Sequence, residues 1–199
     1  MNFDSPPADP IATCEAWFSE ARERCSVPNS HAMALSTVDD QGRPSCRMVL
    51  LKGFDRRGPV FYTNRQSQKG IELDGSQQAS LLFFWDELER QIRINGSVEV
   101  VSDKEADDYF TTRPRGSQIG AWASDQSRPC PDRETMEASV REVESKYEGQ
   151  PVPRPPHWVG YRVRPESIEF WQGGGFRMHD RLLYSAEADG TWTVCRLWP

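Results

Sequence analysis

The 199-residue chain contains no pair of cysteines in C-x-x-C spacing. Its five cysteines (Cys14, Cys25, Cys46, Cys130 and Cys195) are odd in number and scattered. That pattern suggests neither a zinc site nor a disulfide framework, and reduced thiols in a cytoplasm are the simplest reading. Histidine is scarce too. His31, His157 and His179 lack metal-ligand spacing, so no metal site is expected. A basic excess is missing: Lys and Arg total 24 against 30 Asp and Glu, for a net charge of -6 and a pI near 5.2. Such a balance fits poorly with nucleic acid or an anionic membrane, both of which need a positive field. The longest apolar runs, such as Leu81 to Trp85, are strand-sized and too short to span a bilayer. Acidic Asp4 and Asp9 stand where a signal peptide would be basic and then apolar. There is no G-x-S-x-G elbow, Walker loop or G-x-G-x-x-G, and no internal repeat.

Aromatic residues, by contrast, are plentiful. Seven tryptophans and nine phenylalanines argue against disorder despite a mean hydropathy of -0.71. The length suits one domain with a sizeable core. Residues 1–8 read as a mobile tail and 9–199 as that single domain. Asp9-Pro10 is a helix start, with Trp17, Phe18, Ala21 and Cys14 on its apolar face. From His31 the pattern turns to β. Strands are expected at Met33 to Val38, Cys46 to Lys52, Pro59 to Thr63, Ala79 to Trp85 and Gln91 to Val101, with short connections that favour antiparallel pairing. Ser102 to Glu105 forms a capping box ahead of a helix to Thr112, and a short helix is expected from Ser117 to Ala123. Met136, Val140, Val143 and Tyr147 recur at helical spacing. Strands are expected again at Trp158 to Val163 and Ile168 to Trp171. A closing hairpin then turns at Asp189-Gly190. The fold class is mainly β with flanking helices, an antiparallel barrel.

On an acidic chain, anion binding needs a local basic cluster. Several segments offer one. Alternation in Arg47 to Lys52 puts Lys52 on a face with Met48 and Leu50, either at a strand end reaching water or on an anion. Tyr109, Arg113 and Ser117 recur every four residues around a helix end, where together they could grip a phosphate or simply be solvated. Asn64 to Lys69 leads into a helical start, which suits a phosphate. Gln126-Ser127 and Gln91 add neutral donors. Near the C-terminus, Trp171 to Arg181 packs a glycine run with Arg177, His179 and Arg181. In an extended strand Arg177 and His179 would share a face, although a hairpin turn with a solvated edge is the plainer alternative.

Together these segments resemble the pyridoxine/pyridoxamine 5'-phosphate oxidase family from about Asp9 to Pro199. The matching blocks are Arg47 to Lys52, Phe61 to Asn64, Leu88 to Gln91, Arg113 to Trp122, and Phe170 to Gly174 with Arg177 to Arg181. The resemblance implies an FMN-binding split β-barrel with the flavin at a homodimer interface. It implies that FMN is held by Arg47, Met48, Val49, Leu50, Leu51, Lys52, Tyr62, Thr63, Gln68, Lys69, Gln91, Gln126, Ser127, Trp171 and Arg181. It implies that the substrate phosphate sits on Lys52, Tyr109, Arg113 and Ser117, with Arg177, Met178 and His179 over the pyridine ring. The implied activity is a pyridoxal 5'-phosphate synthase, oxidising phosphorylated B6 vitamers with dioxygen and releasing hydrogen peroxide. A split-barrel oxidase acting on another small molecule, such as a phenazine precursor, and a non-catalytic flavin binder are the alternatives. Two departures stand out: Gln68 occupies a position commonly arginine in the family, and no basic-aromatic segment precedes Asp9.

Overall fold

A computed structural model describes all of residues 1–199. Helix α1 (Ile11–Arg24) opens the fold. Its first turn is capped by Asp9, whose carboxylate accepts from the Ile11 N–H at 2.9 Å. The helix buries Ile11, Cys14, Trp17, Phe18 and Ala21, the face expected from the sequence. Strands β1 (Ala32–Val38), β2 (Pro44–Leu50), β3 (Gly53–Asp55) and β4 (Gly58–Asn64) follow, then helix α2 (Gln68–Ser76). Next come β5 (Gln78–Trp85), β6 (Arg90–Val100), α3 (Asp103–Thr111), α4 (Arg115–Ala123) and α5 (Arg133–Lys146). The chain ends in β7 (Trp158–Gln172), β8 (Asp180–Ala186) and β9 (Trp192–Arg196).

All nine strands form one antiparallel sheet, ordered β2-β1-β5-β6-β7-β4-β3 with β8 and β9 added beside β7. It curls into a split barrel, and the Lys52 N–H donates to the Val60 carbonyl at 2.8 Å where the end of β2 meets β4. Period-two alternation fills the interior with Met33, Leu35, Leu81, Phe83, Ile92, Ile94, Val163, Ile168 and Phe170, all fully buried. Phe170 sits edge-on to Trp17 at 5.2 Å and to Tyr184 at 5.7 Å, contacts worth about 0.5–1.5 kcal/mol each beyond area burial.

The structure departs from the sequence reading along β7. The two strands expected between Trp158 and Trp171 are one 15-residue strand, β7. Its polar middle, Arg164 to Ser167, looks like a loop in sequence. A bulge opposite Asn95/Gly96 carries it through instead, where a Cβ on Gly96 would lie 1.8 Å from the Arg164 carbonyl oxygen. Helix α5 forms as expected but buries none of its residues, and Met136 is 53% exposed. Residues 1–8 make several contacts with the body. Phe3 packs on the core, Arg196 binds the Phe3 carbonyl and Asp4, and the Tyr184 hydroxyl donates to the Pro7 carbonyl at 2.9 Å.

Candidate active site

Strand β7 organises the candidate residues into two groups, one at each end. At its Trp158 end, the register pairs Tyr62, Thr63 and Asn64 of β4 with Gly160, Val159 and Trp158. The Tyr62 ring stacks with Tyr109 of α3 at 4.3 Å and with Trp158 at 4.9 Å. Gly160 makes the space, since a Cβ there would lie 2.6 Å from the Tyr62 ring. Burial, then the nearby Glu105 carboxylate, pushes the Tyr62 phenol up to about 12. Arg113, just past α3, lies over the Trp158 ring at 4.8 Å. Its Nη1 is buried with no hydrogen-bond partner, and burial lowers its pKa. An unpartnered buried guanidinium nitrogen is costly in itself, so this geometry suits an anionic ligand. Ser117 is exposed on α4 nearby in sequence, and Lys52 is exposed just beyond β2, with no side-chain partner for either.

The same end holds a buried polar cradle. Ser67 caps α2 by accepting from the Gly70 N–H, which sets Lys69 in the first turn. Lys69 is only 9% exposed, and its Nζ donates to neutral groups alone: Gln126 Oε1 at 2.9 Å, Ser67 Oγ at 3.3 Å and Thr63 Oγ1 at 3.4 Å. Burial and then the nearby Arg47 charge depress its pKa. A buried ammonium without a carboxylate of its own is the chemistry a phosphate monoester would complete. Beside it, Arg47 donates to Ser45 Oγ at 2.6 Å, to Thr37 Oγ1 and to the carboxylate of Glu72 at 3.2 Å. Gln68 donates to Glu72 at 2.9 Å. Burial alone would raise the Glu72 pKa, but bonds from Thr37, Ser45, Gln68 and Arg47 outweigh it and hold the carboxyl below 4.5. Arg47 and Val49 are half-buried on β2, as are Leu50 and Leu51, whereas Met48 points outward and is 64% exposed. Gln126 and Ser127 follow α4, Ser127 with φ +72°.

The other end of β7 carries the second group. Gln91, Trp171 and Arg181 stand directly opposite one another across β6, β7 and β8, hence on one face. Arg181 is anchored by Glu169 at 2.8 Å, and Glu169, 2% exposed, also binds Arg93. The expectation that Arg177 and His179 share a strand face does not hold. Gly175–Arg177 is a single 3-10 turn with Phe176 and Arg177 both left-handed (φ +55° and +64°), and β8 begins only at Asp180. Gly173 to Gly175 release the chain from the strand. His179 is placed by other means: its Nδ1 accepts from the Gly174 N–H at 3.2 Å and its ring packs on Trp171 at 4.6 Å. Arg177, Met178 and Phe176 are exposed.

Sequence reasoning missed Glu72 and Trp158. Glu72 was legible as the residue four after Gln68 on one helical face. Trp158 had only its place at a strand start, and nothing in the sequence tied it to Arg113.

Residues 19–147 match the model of the pyridoxamine 5'-phosphate oxidase family, and 158–199 match that of the pyridoxine 5'-phosphate oxidase C-terminal dimerisation region. The chain is 54% identical to a pyridoxine/pyridoxamine 5'-phosphate oxidase of Rubrobacter xylanophilus, covering 98% of this chain and 89% of that one. It is 53% identical to the oxidase so named from Burkholderia lata 383, over 96% of this chain and 89% of that one. A crystal structure of PhzG, also from Burkholderia lata 383, in complex with tetrahydrophenazine-1-carboxylic acid superposes with a TM-score of 0.92 at 34% identity, covering 99% and 96% of the two chains. These matches, spanning both ends of β7, show that the chain belongs to the pyridoxamine 5'-phosphate oxidase family.

Proposed function

We propose that the protein oxidises pyridoxamine 5'-phosphate and pyridoxine 5'-phosphate to pyridoxal 5'-phosphate, using FMN and dioxygen and releasing hydrogen peroxide. The amine substrate also consumes water and releases ammonia. The redox chemistry, two electrons taken from the substrate and given to dioxygen, is what FMN supplies when bound. The chain's own residues bind and orient. Lys69, Arg47, Thr63 and Gln126 suit the phosphate of FMN, and Gln91, Trp171 and Arg181 form a face for the rest of it. Lys52, Tyr109, Arg113 and Ser117 grip the substrate phosphate, while Arg177 and His179, with Met178, cover the ring.

The observation that carries this reading is where uncommitted basic side chains fall. Most arginines here are tied to carboxylates or carbonyls, Arg154 and Arg162 for example. The side chains of Lys52, Arg113 and Arg177, three of the substrate-binding set, donate to no group in the chain. Cations left unpaired in a folded acidic protein are available to anions.

The two ends of β7 favour a homodimer. At roughly 3.3 Å per residue, Trp158 and Trp171 lie up to about 43 Å apart along one strand. One mononucleotide and one substrate cannot touch both, so each site takes the Trp158 end of one copy and the Trp171 end of a second.

Hydrogen peroxide production on adding pyridoxamine 5'-phosphate to the FMN-loaded protein tests the reading. Stoichiometric peroxide and pyridoxal 5'-phosphate are expected, and their absence under aerobic turnover overturns it. A phenazine-type oxidase is the second reading, favoured by the 0.92 TM-score to PhzG. Identity weighs against it: within Burkholderia lata 383 the match is 53% to the B6 oxidase and 34% to PhzG. Peroxide with a reduced phenazine carboxylate but not with the B6 vitamers would select it.

A further inference from the structure

A cleft of about 830 Å³ lies between α1, the segment before β1 and the β2–β3 connection. Its apolar floor includes Phe18 and Phe54, edge to face at 5.1 Å, and its wall includes Lys52 and Tyr109. The remaining charged groups that line it are Arg22 and Glu15 of α1 and His31. None of these charged side chains has a hydrogen-bonded or ionic partner. The backbone fixes their placement. The His31 carbonyl accepts from the Leu51 N–H at 2.9 Å, one residue from Lys52, and the Trp85 indole donates to the Ser30 carbonyl at 2.7 Å.

We propose that Arg22 and His31 are specificity-determining residues, which with Lys52 form a positive rim that draws the substrate's phosphate monoester into the site. This rests on the function proposed above and assigns it two residues outside the segments that carry the family resemblance. Glu15 is the single carboxylate in the lining, so the rim is net positive once Arg22 and Lys52 are counted, and more so when His31 is protonated. An apolar floor below a cationic rim matches an aromatic ring bearing a phosphate. His31 sits below its ordinary 6.5, through burial first and then the charges of Lys52 and Arg22, so those groups lie within electrostatic reach of one another. A bound phosphate would offset that repulsion and raise the His31 pKa. By linkage, phosphate binding strengthens as pH falls through it.

The test uses the full-length, FMN-loaded protein and its R22A and H31Q variants. KM for pyridoxamine 5'-phosphate should rise roughly tenfold in each, kcat moving far less, while KM for unphosphorylated pyridoxamine stays within about twofold. The His31 ring, identified by the NMR signal that H31Q loses, should titrate at higher pH when inorganic phosphate is added, and less so in R22A. Equal effects on both substrates, or a His31 pKa indifferent to phosphate, overturns the proposal. If no B6 vitamer is oxidised yet phosphate still raises the His31 pKa, the cleft stands and the assigned reaction fails.

Discussion

The two ends of β7 solve the problem of charge in opposite ways. At the Trp158 end, Glu72 and Lys69 are buried, half-buried Arg47 and exposed Gln68 both donate to Glu72, and the aromatic stack of Tyr109, Tyr62 and Trp158 is held by packing. At the Trp171 end, Arg177 is exposed on a turn with two consecutive left-handed residues. A non-glycine residue in that region costs on the order of 1 kcal/mol or more and persists only when its surroundings hold it. Around Lys69 and Glu72 the first end is shaped before any ligand arrives, whereas the second presents Arg177 on an exposed turn. A pocket for a resident cofactor benefits from the first arrangement. A surface that must close on a transient substrate and release product benefits from the second.

The comparison is broken most severely at the open end. Arg177→Ala should bind FMN normally and lose kcat/KM by about a hundredfold, the scale of a substrate misplaced by roughly 1 Å. Arg177→Lys should also be impaired, because a point charge lacks the planar fork. Single-turnover anaerobic flavin reduction measures both, and parental rates would make the turn a structural feature only. At the closed end, Lys69→Met should weaken FMN binding by about 1.5–3 kcal/mol, or roughly ten- to a hundredfold, in a fluorescence titration. Arg113→Ala should raise KM for the phosphorylated substrate about tenfold and narrow the preference over the unphosphorylated vitamer. An unchanged KM there would show that Arg113 serves only to cover Trp158.

Acid gives a subtler contrast. Glu72 has a depressed folded-state pKa, so its contribution is present above about 4.5 and is lost as pH falls through the lower folded value. Thermal stability should therefore decline in that acid range in the parent and be flatter with pH in Glu72→Gln. Smallest of all, Phe176→Gly should change thermal stability by less than about 0.5 kcal/mol. Relief of left-handed strain opposes the entropy that glycine adds to the unfolded chain. A gain above about 1 kcal/mol would mean that the turn stores more strain than its backbone angles suggest.

Most of the fold was legible, because alternation and capping are local signals. Ser102 does cap α3, with its hydroxyl accepting from the Glu105 N–H at 3.2 Å. The capping box is half-built, however: Glu105 turns to the buried Arg162 at 2.7 Å, a partner 57 residues away that no local rule anticipates. The segment carrying Arg177 and His179 was misread as geometry. Alternation put Arg177 and His179 on one strand face, but three glycines in a row allow a 3-10 turn that alternation cannot describe. The stripe on α5 forecast a helix correctly, and the helix buries none of its residues, since periodicity says which residues share a face and not what lies against it.

The length of β7 has a genetic consequence. If every site borrows one end from each copy, a Lys69→Met subunit and an Arg177→Ala subunit damage opposite halves of a site. Paired together, they place both lesions in one site and leave the other site whole. Assayed at FMN and substrate concentrations too low to fill damaged sites, the two variants, unfolded and refolded as a mixture, should therefore recover about a quarter of the parental activity, since random pairing makes about half the dimers mixed and each mixed dimer has one intact site. Two lesions at the same end, Lys69→Met with Arg113→Ala, would leave every mixed site damaged and gain nothing from mixing. Complementation between impaired variants would then read out, without any structure, which residues belong to the same half of the site.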